Sequence, residues 1–319
     1  MELKKYKPSD ELEILELFSL AFGKNMTKEF WEWRYLNNPT LKEPLINLMW
    51  DMDKLVGHYA VSPVILNIKE EKVLTSLSMT TMTHPDYGGK GIFTDLAENL
   101  YHDIYKNNGI QAVWGFPNLN SHYGLIKRLK WNDVSLVHSL RLFSEVFNKY
   151  DKVNYRTAYD FSAQHAAKIK ENNKGEISVH KDANYLNWRY RDHPDNEYHI
   201  IELADADHLE FVVIKIIDSF DSAGTKEVDI LEHGYDANPE VINEVISAVL
   251  SFLSDKGETI ISLNTWMPIF DPRHKLLERN KFRPEKPLTF MGYRAFSEKC
   301  EVLKYFNSWD LTMGDSDVF

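Results

Sequence analysis

Residues Thr83–Tyr105, THPDYGGKGIFTDLAENLYHDIY, constrain the fold more than any other stretch of the chain. They follow an extended, Thr- and Ser-rich run, Val73–Met82, and place three glycines, Gly88, Gly89 and Gly91, within four positions. Ile92, Phe93, Leu96, Ala97, Leu100, Tyr101 and Ile104 then share one face of a 3.6-residue repeat. The pattern predicts strand, glycine-rich turn, helix. A helix start leaves N–H groups without acceptors and carries partial positive charge. Glycines let a ligand approach that backbone closely, so the turn suits a phosphate. The same residues also read as a plain tight turn, and they match neither GxxxxGK[ST] nor GxGxxG.

The 319 residues, 43% hydrophobic and 13% aromatic, leave room for two domains with a real core. No apolar run reaches the roughly 18 residues that would span a membrane. Met1–Leu15 is charged and lacks a signal-peptide core. Cys300 is the lone cysteine and no Cys/His cluster has metal-ligand spacing. The expectation is a cytoplasmic protein without a metal site. A net charge of −11 argues against nucleic acid or an anionic membrane as partner, and is compatible with a small cationic amine.

In chain order the patterns predict a strand at Leu3–Tyr6, helices at Glu11–Phe22 and Lys28–Leu36, and strands at Leu45–Trp50, Leu55–Ile68 and Val73–Thr83. After the glycine turn and its helix come a buried strand at Ile110–Phe116, a helix from Pro117 to Lys130, and a strand at Trp131–Phe143. Ser144–Lys181 is polar and aperiodic, apart from a helical stretch at Phe161–Ile169, and reads as a connector. The second half repeats the first. Trp33-Arg34-Tyr35 recurs 155 residues on as Trp188-Arg189-Tyr190, and Arg128-Leu129-Lys130-Trp131 recurs 151 residues on as Arg279-Asn280-Lys281-Phe282. Strands near 198–203, 209–217 and 227–232, an amphipathic helix at Pro239–Leu253, a strand at Thr259–Leu263, a helix at Pro272–Asn280 and a strand at Leu288–Arg294 complete the copy. The counterpart of the glycine turn, near Asn238–Ile242, contains no glycine, so the second copy is expected to lack a phosphate site.

The order of elements over the first 145 residues or so, with Thr83-His84-Pro85-Asp86-Tyr87-Gly88-Gly89-Lys90-Gly91-Ile92-Phe93, resembles the GNAT superfamily of N-acetyltransferases and its motif V-x-P-x-x-R-x-x-G-x-G/A. Gly88 stands where that family usually has Arg or Gln, and Phe93 where it usually has Gly or Ala. The tandem arrangement resembles the two-GNAT core of the "enhanced intracellular survival" acetyltransferases, without their further C-terminal domain. The resemblance implies an α/β protein of two tandem GNAT-like domains, each a twisted mixed sheet flanked by helices. The expected division is 1–145 for the domain with the acetyl-CoA loop, 146–180 for the connector and 181–319 for a degenerate copy with a C-terminal tail.

The resemblance further implies acetyl-CoA as cosubstrate. Gly88, Gly89, Lys90, Gly91, Ile92, Phe93 and Thr94 would surround its pyrophosphate, and Met82 and Thr83 its pantetheine. Asn118 and Ser121, at the next helix start, would complete the site, although both are also ordinary capping residues. The family's usual acid, a Tyr, falls at Ile126, which leaves Tyr123 as candidate acid and His84, with His122, as candidate proton relay. Tyr123 reads equally as a pocket-wall residue. In the tandem acetyltransferases a terminal carboxylate acts as base, which makes Phe319 the candidate here, with Asp315 or Asp317 as partners for an ammonium. The bland reading of that end is a disordered acidic tail. The implied activity is acetyl transfer to a primary amine of a small molecule, an amino sugar being one candidate. The alternative is a non-catalytic acyl-CoA-binding or regulatory protein. A homo-oligomer is compatible with either.

Overall fold

The computed structural model describes residues 1–219, 222–286 and 289–319. Its first half contains β1 (Glu2–Lys5), α1 (Glu11–Phe22), α2 (Lys28–Tyr35), β2 (Leu45–Asp51), β3 (Lys54–Ile68), β4 (Glu71–Thr83), α3 (Ile92–Asn108), β5 (Ala112–Gly115), α4 (Leu119–Arg128) and β6 (Asn132–Val137). Then follow β7 (Ser139–Phe143), β8 (Tyr155–Ala158), α5 (Ala163–Asn172), β9 (Ile177–Val179), α6 (Ala183–Leu186) with a π-helical turn over Asn187–Arg191, β10 (His199–Leu203), β11 (Phe211–Asp218), β12 (Lys226–Gly234), α7 (Pro239–Lys256), β13 (Ile260–Trp266), α8 (Pro272–Arg279), β14 (Arg283–Pro284), β15 (Thr289–Ala295) and β16 (Trp309–Asp310). The elements form two compact units, Met1–Ser135 with Thr289–Phe306, and Leu136–Leu288 with Asn307–Phe319.

The first unit's strand order is β1-β2-β3-β4-β5-β15-β6, and the second unit's is β14-β7-β13-β12-β11-β10-β8. Read from β8, the second repeats the first. In each, one parallel pair, β4 with β5 or β12 with β13, sits among antiparallel neighbours. In each, the sixth strand comes from the other half of the sequence. β15 pairs antiparallel with β5 over Gly292↔Gly115 to Ala295↔Ala112, and β7 pairs antiparallel with β13 over Ser262↔Phe143 to Trp266↔Ser139. The expected single strand Trp131–Phe143 is therefore two strands that part at His138 and join different sheets. A division at residue 145 cuts across both units. The expected connector is built as well, since β8 is the second unit's edge strand and α5 buries His165, Lys168, Ile169 and Asn172. Of the strand expected at Leu288–Arg294, Leu288 lies outside the described residues and the rest is β15.

Burial follows periodicity. α3 turns Ile92, Leu96, Ala97, Leu100, Tyr101 and Ile104 inward onto Val56, Tyr59, Val61, Val113 and Trp131. α7 does the same in the second unit with Ile242, Val245, Ile246, Val249 and Leu253. Each large apolar side chain so buried contributes about 1.5–3 kcal/mol. Among the described residues no helix is long and apolar enough to cross a membrane.

Candidate active site

The glycine turn lies in the first unit, at the end of β4. Thr83 pairs with Gly57 of β3, and His84 N–H donates to Val56 O. Pro85–Tyr87 makes one 3₁₀ turn, and α3 begins at Ile92. Gly57 sets how closely the helix approaches, because a Cβ there would lie 2.3 Å from Ile92 Cγ2. Gly89 and Gly91 have φ of +76° and +80°, a conformation that costs an L side chain roughly 1–2 kcal/mol. Gly88 has ordinary dihedrals, φ −57° and ψ 148°, and would accept a side chain. Gly91 is the N-cap of α3 and offers no side chain to its first turn. The N–H groups of Ile92, Phe93 and Thr94 therefore lack the intrahelical acceptors of later turns and a side-chain cap. Lys90 brings its ammonium 4.1 Å from the centre of the Tyr87 ring, and Tyr87 O–H donates to Asp51.

Ile92 is buried, and Phe93 turns its ring into the core, 5.9 Å from the Tyr59 ring. The space Phe93 occupies exists because residue 124 on α4 is glycine. A Cβ at Gly124 would sit 3.0 Å from Phe93 Cε1. Sequence reading found the Phe93 departure but not the glycine that accommodates it. Of the turn candidates, Ile92 and Phe93 thus reach a ligand only through the main chain.

Next to the turn the parallel pair opens. The register of β4 with β5 ends at Leu77↔Trp114, while β4 runs on to Thr83 and β5 stops at Gly115. Gly115 packs against Ser78, to whose oxygen a Cβ would come within 3.4 Å. Beyond it β4 bulges, with Thr80 at φ +48° and the register shifting opposite His58/Ala60. His58 Nδ1–H donates to Thr80 O at 2.8 Å and fixes the bulge. Burial lowers the His58 pKa to about 4, so the ring is neutral. Met82 is buried beyond the bulge and Thr83 is half-buried.

One feature escaped sequence reading because its parts are far apart in the chain. Trp131 Nε1–H donates to Tyr101 O–H at 3.1 Å, Tyr101 and Tyr59 share a hydrogen bond of 2.6 Å, and Tyr59 and Ser78 share one of 2.8 Å. The row of hydroxyls ends at the point where β4 and β5 part. Burial pushes Tyr59 up to about 12 and Tyr101 well above the usual phenol range, so both stay protonated.

The remaining candidates fall out differently. Asn118 caps α4, its Oδ1 accepting from Asn120 and Ser121 N–H at 3.0 and 3.1 Å, and Ser121 Oγ donates back to Asn118. These two polar side chains serve the helix. Tyr123 is 64% exposed and Ile126 packs against the core. His84 is buried, its Nδ1 accepting from Asp86 N–H at 3.2 Å as the cap of the 3₁₀ turn. His122 stacks on Phe290 at 4.0 Å and bonds Asp133 at 2.5 Å.

Phe319 lies in the second unit, and its end of the chain is ordered. Thr312 and Asp315 form a capping box, and Asp315 and Ser316 are buried. Asp315 and Glu232 both pair with Lys181 at 2.8 Å, so Asp315 is not available to an ammonium. Arg189 of the repeated Trp-Arg-Tyr donates to Gly314 O, Ser316 O and Phe319 O, the last at 2.6 Å, and Tyr198 O–H also reaches Phe319 O. An oxygen held by a guanidinium is a weakened base.

Residues 2–134 match the family of acetyltransferase (GNAT) domains. No curated protein sequence matches the chain. Solved structures do match in fold. The chain is similar to an Enterococcus faecalis V583 protein described as a probable N-acyltransferase, at 15% identity and TM-score 0.63, covering 92% of this chain and 72% of that one. Saccharomyces cerevisiae N-myristoyltransferase with bound myristoyl-CoA is similar at 13% identity and TM-score 0.61, covering 92% and 83%. Eis1 from Mycobacterium abscessus is similar at 14% identity and TM-score 0.61, covering 96% and 76%.

Proposed function

We propose, since residues 2–134 match the family of acetyltransferase (GNAT) domains, that the chain is an acyl-CoA-dependent N-acyltransferase whose donor site is the first unit's glycine turn. The uncapped N-terminus of α3 beside the opening between β4 and β5 carries this reading. Pyrophosphate would sit on the N–H groups of Gly89 to Thr94, with Lys90 adding a charge. Pantetheine would enter between the strands past Gly115, where no side chain stands in the way. Acetyl-CoA is the donor we propose, and the acceptor is a primary amine of a small molecule, an amino sugar being the leading class.

Transfer requires that the departing thiolate take a proton. Ser78, backed by Tyr59 and Tyr101, is the donor we assign, with the exposed Tyr123 as the competing candidate. A second reading, an acyl-CoA-binding regulator without turnover, draws support from Ile126, which places a core side chain where the family's acid stands. Titration with acetyl-CoA, followed by turnover on a panel of amines, tests both. Micromolar binding at one site per chain with turnover supports the enzyme, and binding without turnover on any amine supports the regulator. No binding overturns the donor site. Ser78→Ala should lower kcat by about 10²–10⁴ with KM for acetyl-CoA unchanged, and Tyr123→Phe should not. The reverse pattern reassigns the acid.

A further inference from the structure

The polar stretch after β8 carries reactive-group geometry that the proposed acyl-CoA chemistry does not use. Ser162 is the exposed N-cap of α5. Its Oγ lies 2.9 Å from Nδ1 of His165, and His165 Nε2 lies 3.1 Å from Oε1 of Glu202 on β10. The main-chain N–H of Ser162 also points at Nδ1, at 3.1 Å. A backbone donor facing Nδ1 makes that nitrogen an acceptor. The ring proton is therefore on Nε2, donated to Glu202, and the single Nδ1 lone pair is shared between the Ser162 N–H and the serine hydroxyl. Phe161 and Phe211 meet the imidazole edge-on at 5.6 and 4.7 Å. Burial lowers the His165 pKa, against the pull of Glu202, which favours the neutral ring a base must have.

We propose that Ser162 is a nucleophile, activated by His165 as base with Glu202 as positioning residue, that accepts acyl groups from activated esters or thioesters. The Oγ–C bond forms as the hydroxyl proton passes to His165 Nδ1. The C–O or C–S bond of the ester breaks, and the leaving alkoxide or thiolate takes that proton. Water then attacks the acyl-serine, giving its proton to Nδ1. The acid leaves, and Ser162 Oγ recovers the proton. The N–H groups of Ala163 and Gln164, in the first turn of α5, have no intrahelical acceptors and are the donors for the oxyanion.

The same contacts cap α5, since Ser162 Oγ accepts from the His165 N–H and the ring accepts from Ser162 N–H. A cap needs no carboxylate behind the imidazole, so Glu202 separates the two roles. The test is a fluorophosphonate serine probe on the full chain, with the adduct mapped by mass spectrometry and 4-nitrophenyl acetate hydrolysis followed in parallel. Ser162 should carry the adduct, and Ser162→Ala should lose both signals while acetyl-CoA binding is unchanged. Glu202→Gln should label at least about tenfold more slowly, a loss of the order expected for a misoriented base, at nearly unchanged Tm. If Glu202→Gln unfolds, His165→Asn, which keeps an acceptor for the Ser162 N–H, decides in its place. Absence of adduct at Ser162, or an unchanged labelling rate in the decisive variant, overturns the proposal and leaves a helix cap.

Discussion

The two units place the same elements around the same parallel pair and treat the gap beside it in opposite ways. In the first, pairing stops at Leu77↔Trp114, Gly115 withdraws its side chain, and α3 starts on a bare glycine. In the second, the corresponding pair Val228↔Leu263 lies 151 and 149 residues on, and the ladder continues past it through Asp229↔Asn264 and Ile230↔Thr265. Beyond it the space is filled. Thr265 bonds His233 at 2.9 Å, Arg273 donates to His233 O at 3.0 Å while paired with Asp271, and Lys181 joins Glu232 to Asp315. α7 begins with Asn238, whose side chain caps Glu240 and Val241, and with Pro239, which has no N–H. One copy leaves its helix start without a side-chain cap, and the other caps it with Asn238.

The contrast breaks hardest at Gly91. Gly91→Val forces a β-branched residue to φ +80° and should lower acetyl-CoA affinity by about 100-fold or more through displaced N–H groups. Calorimetry measures this, and an unchanged far-ultraviolet spectrum would show the defect to be local. In the second unit the equivalent blow falls on stability. Lys181→Met leaves Glu232 and Asp315 buried without a counter-charge and should cost about 3–5 kcal/mol in denaturant unfolding, with acetyl-CoA affinity of the folded fraction unchanged.

Each unit also buries one neutral histidine at its bulged strand pair. Burial holds His58 at about 4 and His233 at about 3. Unfolded imidazoles titrate near 6.5, so the folded values are the lower ones and this stabilisation is complete above pH 6.5. It should fall by about 3 kcal/mol for His58 alone as pH drops from 6.5 towards 4. Asp229, raised by burial to about 6, has the opposite sign and gains stability as pH falls through that value. Amide exchange followed by pH should therefore show β3–β4 loosening on acidification, and His58→Gln should flatten that response. The smallest effect is at the helix starts. Asn238→Ala should cost about 1 kcal/mol, and it should create no acetyl-CoA site, because Pro239 and the filled gap remain.

The order of elements from β1 to α4 was legible because each has a clean period and a stop signal such as Asn107-Asn108-Gly109. The glycine turn was legible because φ values of +76° and +80° leave few alternatives to glycine. The repeat was visible in Trp-Arg-Tyr, and Asn238-Pro239, where the first copy has its glycines, forms the capped start of α7. What sequence could not carry was partnership. Strand pattern states which face is buried, not which sheet supplies the neighbour, so β7 and β15 read as belonging to their own halves. β8 and α5 read as linker because an edge strand and a surface helix are polar. Lys181, Glu232 and Asp315 are separated by 51 and 83 residues, and nothing in their spacing announces a cluster.

The exchanged sixth strands have a consequence for synthesis. When residue 137 leaves the ribosome, the first unit has β5 and β6 but not the strand between them. At about 5–20 residues per second, β15 arrives roughly ten to thirty seconds later. Throughout that interval β5 is an unpaired edge and β6 has no neighbour in the sheet, the kind of surface that captures a neighbouring chain. Every copy must therefore pass through a stage at which the sheet of its first unit is two strands short, and a nascent-chain chaperone would find its substrate there.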